Sequence, residues 1–317
     1  MKFPVFDLHC DTALELLGRD PEQCGSLRNN RLHIDLSRAQ CLPAYAQCFA
    51  CFTTDCFPMG EGVTPEEVFE REKTAILTQI HENSDIIQQA FSAEDVENNC
   101  KQGLFSGVLT IEGTAGIAFD VSRLEMLYKQ GFRITTLGWN EKNPLAGSHQ
   151  TGGGLTENGK AYVKEAQRLG MLVDVSHISD EAFWDIIGVS TAPVIASHSN
   201  SRTVWNVTRN VTDEMFLAIC KTGGVVGINL YADFLGDEPD LNTVCDHILH
   251  FLSLDPDGTH VALGGDLDGC NQLPKGVNGI EDYPKLADAL IARGVDERTV
   301  YNIYWNNALG VMKRCCM

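Results

Sequence analysis

Six side chains here are of the kinds that bind divalent cations, and each stands at the end of a short apolar run. His9 and Asp11 close Val5-Phe6-Asp7-Leu8, and Glu112 closes Leu109-Thr110-Ile111. His177 closes Leu172-Val173-Asp174-Val175-Ser176, His198 closes Val194-Ile195-Ala196-Ser197, and Asp266 closes Val261-Ala262-Leu263-Gly264-Gly265. Imidazole with carboxylate suits zinc and its first-row neighbours. Six such groups exceed one tetrahedral site, so they predict two divalent metal ions, zinc (Zn2+) first among them, with a carboxylate shared between the two. Charge agrees. Three carboxylates and a bridging hydroxide are offset by two divalent cations, whereas the carboxylates alone would repel and hold a proton.

Taken singly, each residue means little. A lone histidine at a strand end is commonly structural, and an aspartate after Gly-Gly is commonly a turn residue. Their shared position is what points to a site. Of the nine histidines, His33, His81, His149, His247, His250 and His260 fall elsewhere and read as surface or helix residues.

The elements that must position these groups are legible as alternating patterns. Residues 5–9, 44–52, 107–111, 133–137, 172–176, 194–197, 225–230 and 261–263 read as strands. Helical spacing occupies 65–89, 122–129, 156–169, 179–187, 212–221, 241–252, 280–292 and 296–311. Thr64, Thr156 and Ser179 are N-cap candidates and Gly170 a C′ glycine. Strand alternating with helix predicts an α/β fold, a (β/α)8 TIM barrel in a single domain over residues 1–317. A doubly wound open sheet is the competing arrangement. In a barrel the C-terminal strand ends converge on one mouth. Period two places Asp7, His9 and Asp11 on one face of the first strand, and Leu8 and Cys10 on the other. Long loops after Leu17, after Phe52 and over 137–155 would rise on that same rim.

Composition narrows the partners. Lys and Arg number 24 against 43 Asp and Glu, a net charge of −19, which disfavours nucleic acid and anionic membrane. Twelve cysteines in 317 residues are too few for a disulfide scaffold. No apolar leader or long apolar span is present, so a cytoplasmic protein with reduced thiols is expected. Cys48 and Cys51 read as buried core thiols on opposite strand faces, and Cys315-Cys316 as a tail without function. The Thr151-Gly152-Gly153-Gly154 cluster lacks the strand-to-helix context of a phosphate loop and reads as a loop over the mouth.

Five motifs resemble, in order and spacing, those of the membrane (renal) dipeptidase family, peptidase family M19, of the amidohydrolase superfamily. They are Asp-Leu-His9-Cys-Asp11-Thr, Thr-Ile-Glu112-Gly, Asp174-Val-Ser-His177-Ile-Ser, Pro-Val-Ile-Ala-Ser-His198-Ser and Gly-Gly-Asp266-Leu-Asp-Gly, and the match as a whole runs from about Phe6 to Asn307. The resemblance implies a binuclear zinc dipeptidase of the soluble bacterial type that cleaves small dipeptides with a metal-bridging hydroxide. Dipeptides with a D-residue at the C-terminal position and a homodimer are both compatible with it. It places His9, Asp11 and Asp266 on one ion, His177 and His198 on the other, and Glu112 between them. Asp266 would also shuttle the proton. Arg209 would grip the substrate's C-terminal carboxylate, although by itself it reads as a surface salt bridge. Animal members carry a substrate-contacting histidine after strand four. Here Leu137-Gly138-Trp139-Asn140-Glu141 stands there, so Trp139 or Asn140 takes that place, and Asn140 offers an amide donor to the scissile carbonyl. The alternative keeps the two metals and changes the substrate to a lactone, cyclic amide or phosphotriester.

Overall fold

The computed structural model describes residues 2–18, 25–56 and 62–316. Parts of the loops after Leu17 and Phe52 lie outside the described residues. The strands are β1 (Val5–Cys10), β2 (Tyr45–Phe52), β3 (Ile87–Gln89), β4 (Phe105–Glu112), β5 (Phe132–Thr136), β6 (Leu172–Asp174), β7 (Val194–Ile195), β8 (Val226–Ile228) and β9 (Val261–Leu263). Every strand pair is parallel, in the order β7-β6-β5-β4-β2-β1-β9-β8. The two ends meet through the Ala196–Val226 bridge, with the Gly227 amide donating to the Ala196 carbonyl at 2.8 Å. The result is the (β/α)8 barrel that the strand–helix alternation predicts, not an open sheet.

Closure shows in the core. Phe6, Ala46, Val108, Ile134, Ile195 and Ala262 come from six different strands, yet share one buried cluster with Leu172 of β6 and Val225 just before β8. Only the inside of a closed barrel lets all eight meet. Small residues on some strands leave room for large ones on others. Trp305, Leu309, Met312 and Cys316 join the same cluster and plug the bottom of the barrel, Trp305 packing on Phe6 with ring centroids 5.8 Å apart. Cys316 is therefore not a loose tail residue. The sequence pattern missed this because two vicinal cysteines carry no periodicity. Cys48 lies inside the barrel and Cys51 in the outer cluster under the helices, both buried, as their odd spacing requires. The described cysteines are free thiols.

Helix starts follow the predicted caps. Thr64 and Glu67 form a reciprocal capping box at Pro65–Glu82. Thr156 caps Glu157–Leu169, Ser179 caps Asp180–Val189, and Gly170 ends the former at φ 88°. Two expectations need correction. Helical spacing over 65–89 hides a break, because Asn83 caps the helix and Ile87–Gln89 pairs with the start of β4 as an extra strand. The last predicted helix, 296–311, contains a π-helical turn, Asn302–Asn306, between Glu297–Tyr301 and Asn307–Cys315. Helix Ala93–Lys101, capped by Ser92, went unpredicted because it is short and polar. No described helix is long and apolar enough to cross a membrane.

Candidate metal centre

The six predicted ligands arrive from five strand ends and meet at one mouth. All are buried, the most exposed at 8%. Glu112 lies in the middle. Its Oε2 is 3.2 Å from His9 Nε2, and its Oε1 is 3.1 Å from His177 Nε2 and 3.7 Å from His198 Nε2. Asp11 Oδ2 and Asp266 Oδ1 approach His9 Nε2 at 3.7 and 3.9 Å. Ligand atoms of His9, Glu112 and His198 lie within 4.8 Å of one another, as do those of His9, Asp11 and Asp266.

Local backbone explains how a strand can deliver such groups. In β1 an extra residue is inserted: Asp7 pairs with Gln47, but Cys10 pairs with Phe49. This bulge breaks the period-two reading. Asp7 is turned away from the mouth, accepting from the Gly265 amide at 3.0 Å and from the Tyr283 hydroxyl, while His9 and Asp11 face the cluster. His177 and Asp266 sit at φ 69° and 56°, in the left-handed region that non-glycine residues rarely adopt. Such strain persists where surrounding contacts over-determine it, and it concentrates at working sites.

Those contacts are explicit. Ser197 Oγ donates to Asp174 Oδ2 and lies 2.6 Å from His198 Nδ1. Asp174 also accepts from the Ser176 and Ser197 amides at 2.9 Å. With its proton given to Asp174, Ser197 Oγ accepts from His198 Nδ1–H, so His198 Nε2 presents a lone pair. That atom is 3.0 Å from His177 Nε2. Asn140 Oδ1 is 2.9 Å from His177 Nδ1. Asn229 Nδ2 donates to Asp266 Oδ2 at 3.0 Å and leaves Oδ1 for the cluster. His9 Nε2 and Asp11 Oδ1 are buried without a hydrogen-bond partner. Lone pairs of nitrogen and carboxylate oxygen facing one another, with buried acceptors unpartnered, fit a cation. A carboxylate, an alcohol-held imidazole and an amide-held imidazole are the donor set and support that zinc-type ions take.

Ionisation carries the same message. Burial raises the Asp266 carboxyl to about 8, with the Asp11 and Glu112 charges adding to it and His9 opposing. Burial and the Glu112 charge raise Asp11 to about 6. Burial alone would push His9 down, yet the Glu112 and Asp11 carboxylates outweigh it and hold it well above its usual value. Glu112 is held low by His9 despite its burial. His177 and His198 are driven well down by burial, next to the Arg209 and His9 charges. Negative charge at this mouth calls for positive charge.

A cavity of about 220 Å³ opens over the cluster. Trp139 and Phe52 form one wall, their rings edge-on at 5.1 Å, and Asn140, Tyr231 and Phe234 also line it. The buried Glu72 of helix Pro65–Glu82 accepts from the Phe52 amide at 2.6 Å and ties that wall to the helix layer. Arg209 differs from its bare-sequence reading as a surface salt bridge. It is 4% exposed, donates to Ser199 Oγ at 2.9 Å and to the His198 carbonyl at 3.0 Å, and stands 5.5 Å from the Phe234 ring. It lies one layer behind the main cavity, with Nε unpartnered.

Several site residues escaped the sequence. His149, read as a surface or helix residue, lies on the rim loop with Nε2 2.8 Å from Asn140 Oδ1. Burial and the Arg209 and Arg202 charges lower it to about 4. His33, read the same way, takes the Asp268 amide on Nδ1 at 2.9 Å, beside the Asp266 turn. His149 had one usable signal, its place in the 137–155 loop already expected over the mouth. Asn229 and Ser197 had none beyond lying near strand ends.

A closed parallel barrel with imidazoles and carboxylates gathered at its C-terminal strand ends belongs to the class of (β/α)8 barrels, whose active sites sit at that mouth. Within that class, the chain belongs to the membrane dipeptidase family, peptidase family M19, whose model matches residues 1–316. A dipeptidase of Clonostachys rogersoniana, verJ, is 31% identical over 325 residues, 98% of this chain and 83% of that protein. An uncharacterized dipeptidase of Schizosaccharomyces pombe is 36% identical over 66% of this chain, which spans about half (53%) of that relative's length. A metallo peptidase from Rhodobacter sphaeroides, solved with a phosphinate mimic of the dipeptide L-Ala-D-Ala, superposes with a TM-score of 0.89. It is 26% identical and covers 99% of this chain and 100% of its own.

Proposed function

We propose that the chain is a binuclear metal-dependent dipeptidase, with zinc as its first candidate metal. The observation that carries this reading is the convergence of His177 Nε2, His198 Nε2 and Glu112 Oε1 within 3.0–3.7 Å, each an acceptor toward the same point. His9, Asp11 and Asp266 would hold one ion, His177 and His198 the other, and Glu112 both, one oxygen facing each side. The ions would supply Lewis acidity toward the scissile carbonyl and acidify the attacking water.

The chain's own residues supply the rest. Asp266, ionised when it holds an ion, takes the proton of the attacking water and delivers it to the leaving amine. The Asn229 amide holds its other oxygen in place. Asn140 lines the cavity with Oδ1 turned to the histidines, which leaves its Nδ2 as the donor for the developing oxyanion. Arg209 places a fixed positive charge under the Phe234 end of the cavity, where the carboxylate of a C-terminal residue is favoured. Trp139 and Phe52 give an apolar wall for a side chain. The dipeptide mimic in the Rhodobacter sphaeroides relative supports a dipeptide here, with a D-residue allowed in the second position.

Amino-acid release from L-L, L-D and D-D dipeptides, with zinc-loaded and chelator-stripped protein, tests the reading. Chelator-sensitive release is expected. Absence of release from every dipeptide, with two ions still bound, would move the substrate to a lactone or cyclic amide.

A further inference from the structure

We propose that His149 is a positioning residue of this site: through Asn140 it holds the His177 imidazole in the orientation that turns Nε2 to the metal cluster. The proposal rests on the metal-hydrolase reading above.

Asn140 Oδ1 stands between two imidazoles, 2.9 Å from His177 Nδ1 and 2.8 Å from His149 Nε2. An amide oxygen has two lone pairs and accepts both N–H groups. With the amide turned the other way, His177 Nδ1 would have to accept, its proton would sit on Nε2, and that atom would have no lone pair for a metal. Ligation by His177 therefore selects one amide orientation, one His177 tautomer and one His149 tautomer together. In that arrangement His149 Nδ1 is an acceptor, and Thr208 Oγ1 lies 3.0 Å from it.

The same loop is tied to the same strand end by its backbone. The His149 amide donates to the His177 carbonyl at 2.9 Å, and Ser148 bridges to Ile178. Ser148 Oγ donates to the Asn140 carbonyl at 2.7 Å. Asn140 is thus held at main chain and side chain by adjacent residues. This matters because His177 sits at φ 69° and needs external support. Thr208, the hydrogen-bond partner of His149 Nδ1, precedes Arg209. One imidazole therefore links the loop before it, the end of β6 and the loop that carries the buried arginine. His149 is only partly buried, on a loop, so its removal opens no cavity inside the barrel.

The test compares wild type, His149→Ala and His149→Gln by zinc titration against a competing chelator, with kcat and KM for a cleaved dipeptide measured alongside. In His149→Ala one of the two zinc ions should bind ~10- to 100-fold more weakly, the range for lost support behind a metal ligand, and the other should be unchanged. The Gln variant restores an N–H toward Asn140 and should recover most of that loss. Equal zinc affinities in wild type and His149→Ala would overturn the proposal, as would a loss that Gln does not relieve. Wild type that binds two ions but cleaves no dipeptide would sink the dipeptidase reading and leave this one standing on the affinities. Wild type that binds no ion would sink both.

Discussion

Gly269 stands against Asp11 so closely that a Cβ on the glycine would lie 2.1 Å from Asp11 Oδ2 and 2.5 Å from Asp266 Oδ1. The two carboxylates share the space that a side chain at 269 would take. Gly269→Ala is expected to turn them out of the cluster while leaving the barrel folded. Metal content after dialysis should fall from two ions to one or none, and kcat/KM should drop by about 100-fold or more, since loss of one acid–base partner alone is worth that much. Full metal content in the variant would show that the carboxylates do not bind there.

Ser197→Ala removes the hydroxyl between Asp174 and His198. The imidazole loses its Nδ1 partner and the fixed tautomer with it. Zinc affinity should weaken by ~10- to 100-fold, as for other lost supports of a ligating histidine. Both amides that Asp174 keeps donate to Oδ1, so Oδ2 and His198 Nδ1 are left buried without this partner, and the stripped protein should lose about 1–3 kcal/mol of stability. Chelator competition and a thermal melt separate the two effects.

Metal stabilisation should grow with pH. In the stripped protein Asp266 and Asp11 are raised to about 8 and about 6 from 3.8. Folding therefore takes up protons, and the stripped protein loses stability as pH rises from about 4 through those values. Ligated carboxylates are ionised already and carry no such loss. The Tm gap between loaded and stripped protein should widen from pH 5.5 to pH 8.5, and zinc uptake at pH 7 should release protons. A gap independent of pH would place the metal elsewhere.

Arg209→Lys keeps the charge and loses the planar fork. Metal content should be unchanged. KM for dipeptides with a free C-terminal carboxylate should rise ~10- to 150-fold, in line with a charged hydrogen bond of ~1.5–3 kcal/mol. Arg209→Ala should in addition erase the preference for free over amidated dipeptides. If that preference survives, the carboxylate is recognised by another group.

Much of this site was legible before folding. Short apolar runs ending in His, Asp or Glu are a local pattern, and strand–helix alternation is a short-range one. Both follow from side-chain chemistry within a few residues, so the barrel could be predicted, and His9, Asp11, Glu112, His177, His198 and Asp266 could be singled out as the groups it would bring together. Helix caps at Thr64, Thr156 and Ser179 belong to the same kind of signal, because the capping bond spans three residues.

What the chain alone could not decide depended on distance in space. The bulge in β1 exists because β1 must match β2 and still aim His9 and Asp11 at a common mouth, and no residue in Asp7-Leu8-His9-Cys10 announces it. Arg209 reads as a surface charge until Phe234, Ser199 and the His198 carbonyl close around it. Cys316 reads as a tail until the barrel floor receives it. His149 reads as a surface residue until Asn140, nine positions earlier, turns its oxygen between it and His177. Residue type determines which chemistry is possible. Tertiary structure decided which groups share one low-dielectric space, and there, hydrogen bonds and neighbouring charges set orientation, tautomer and protonation.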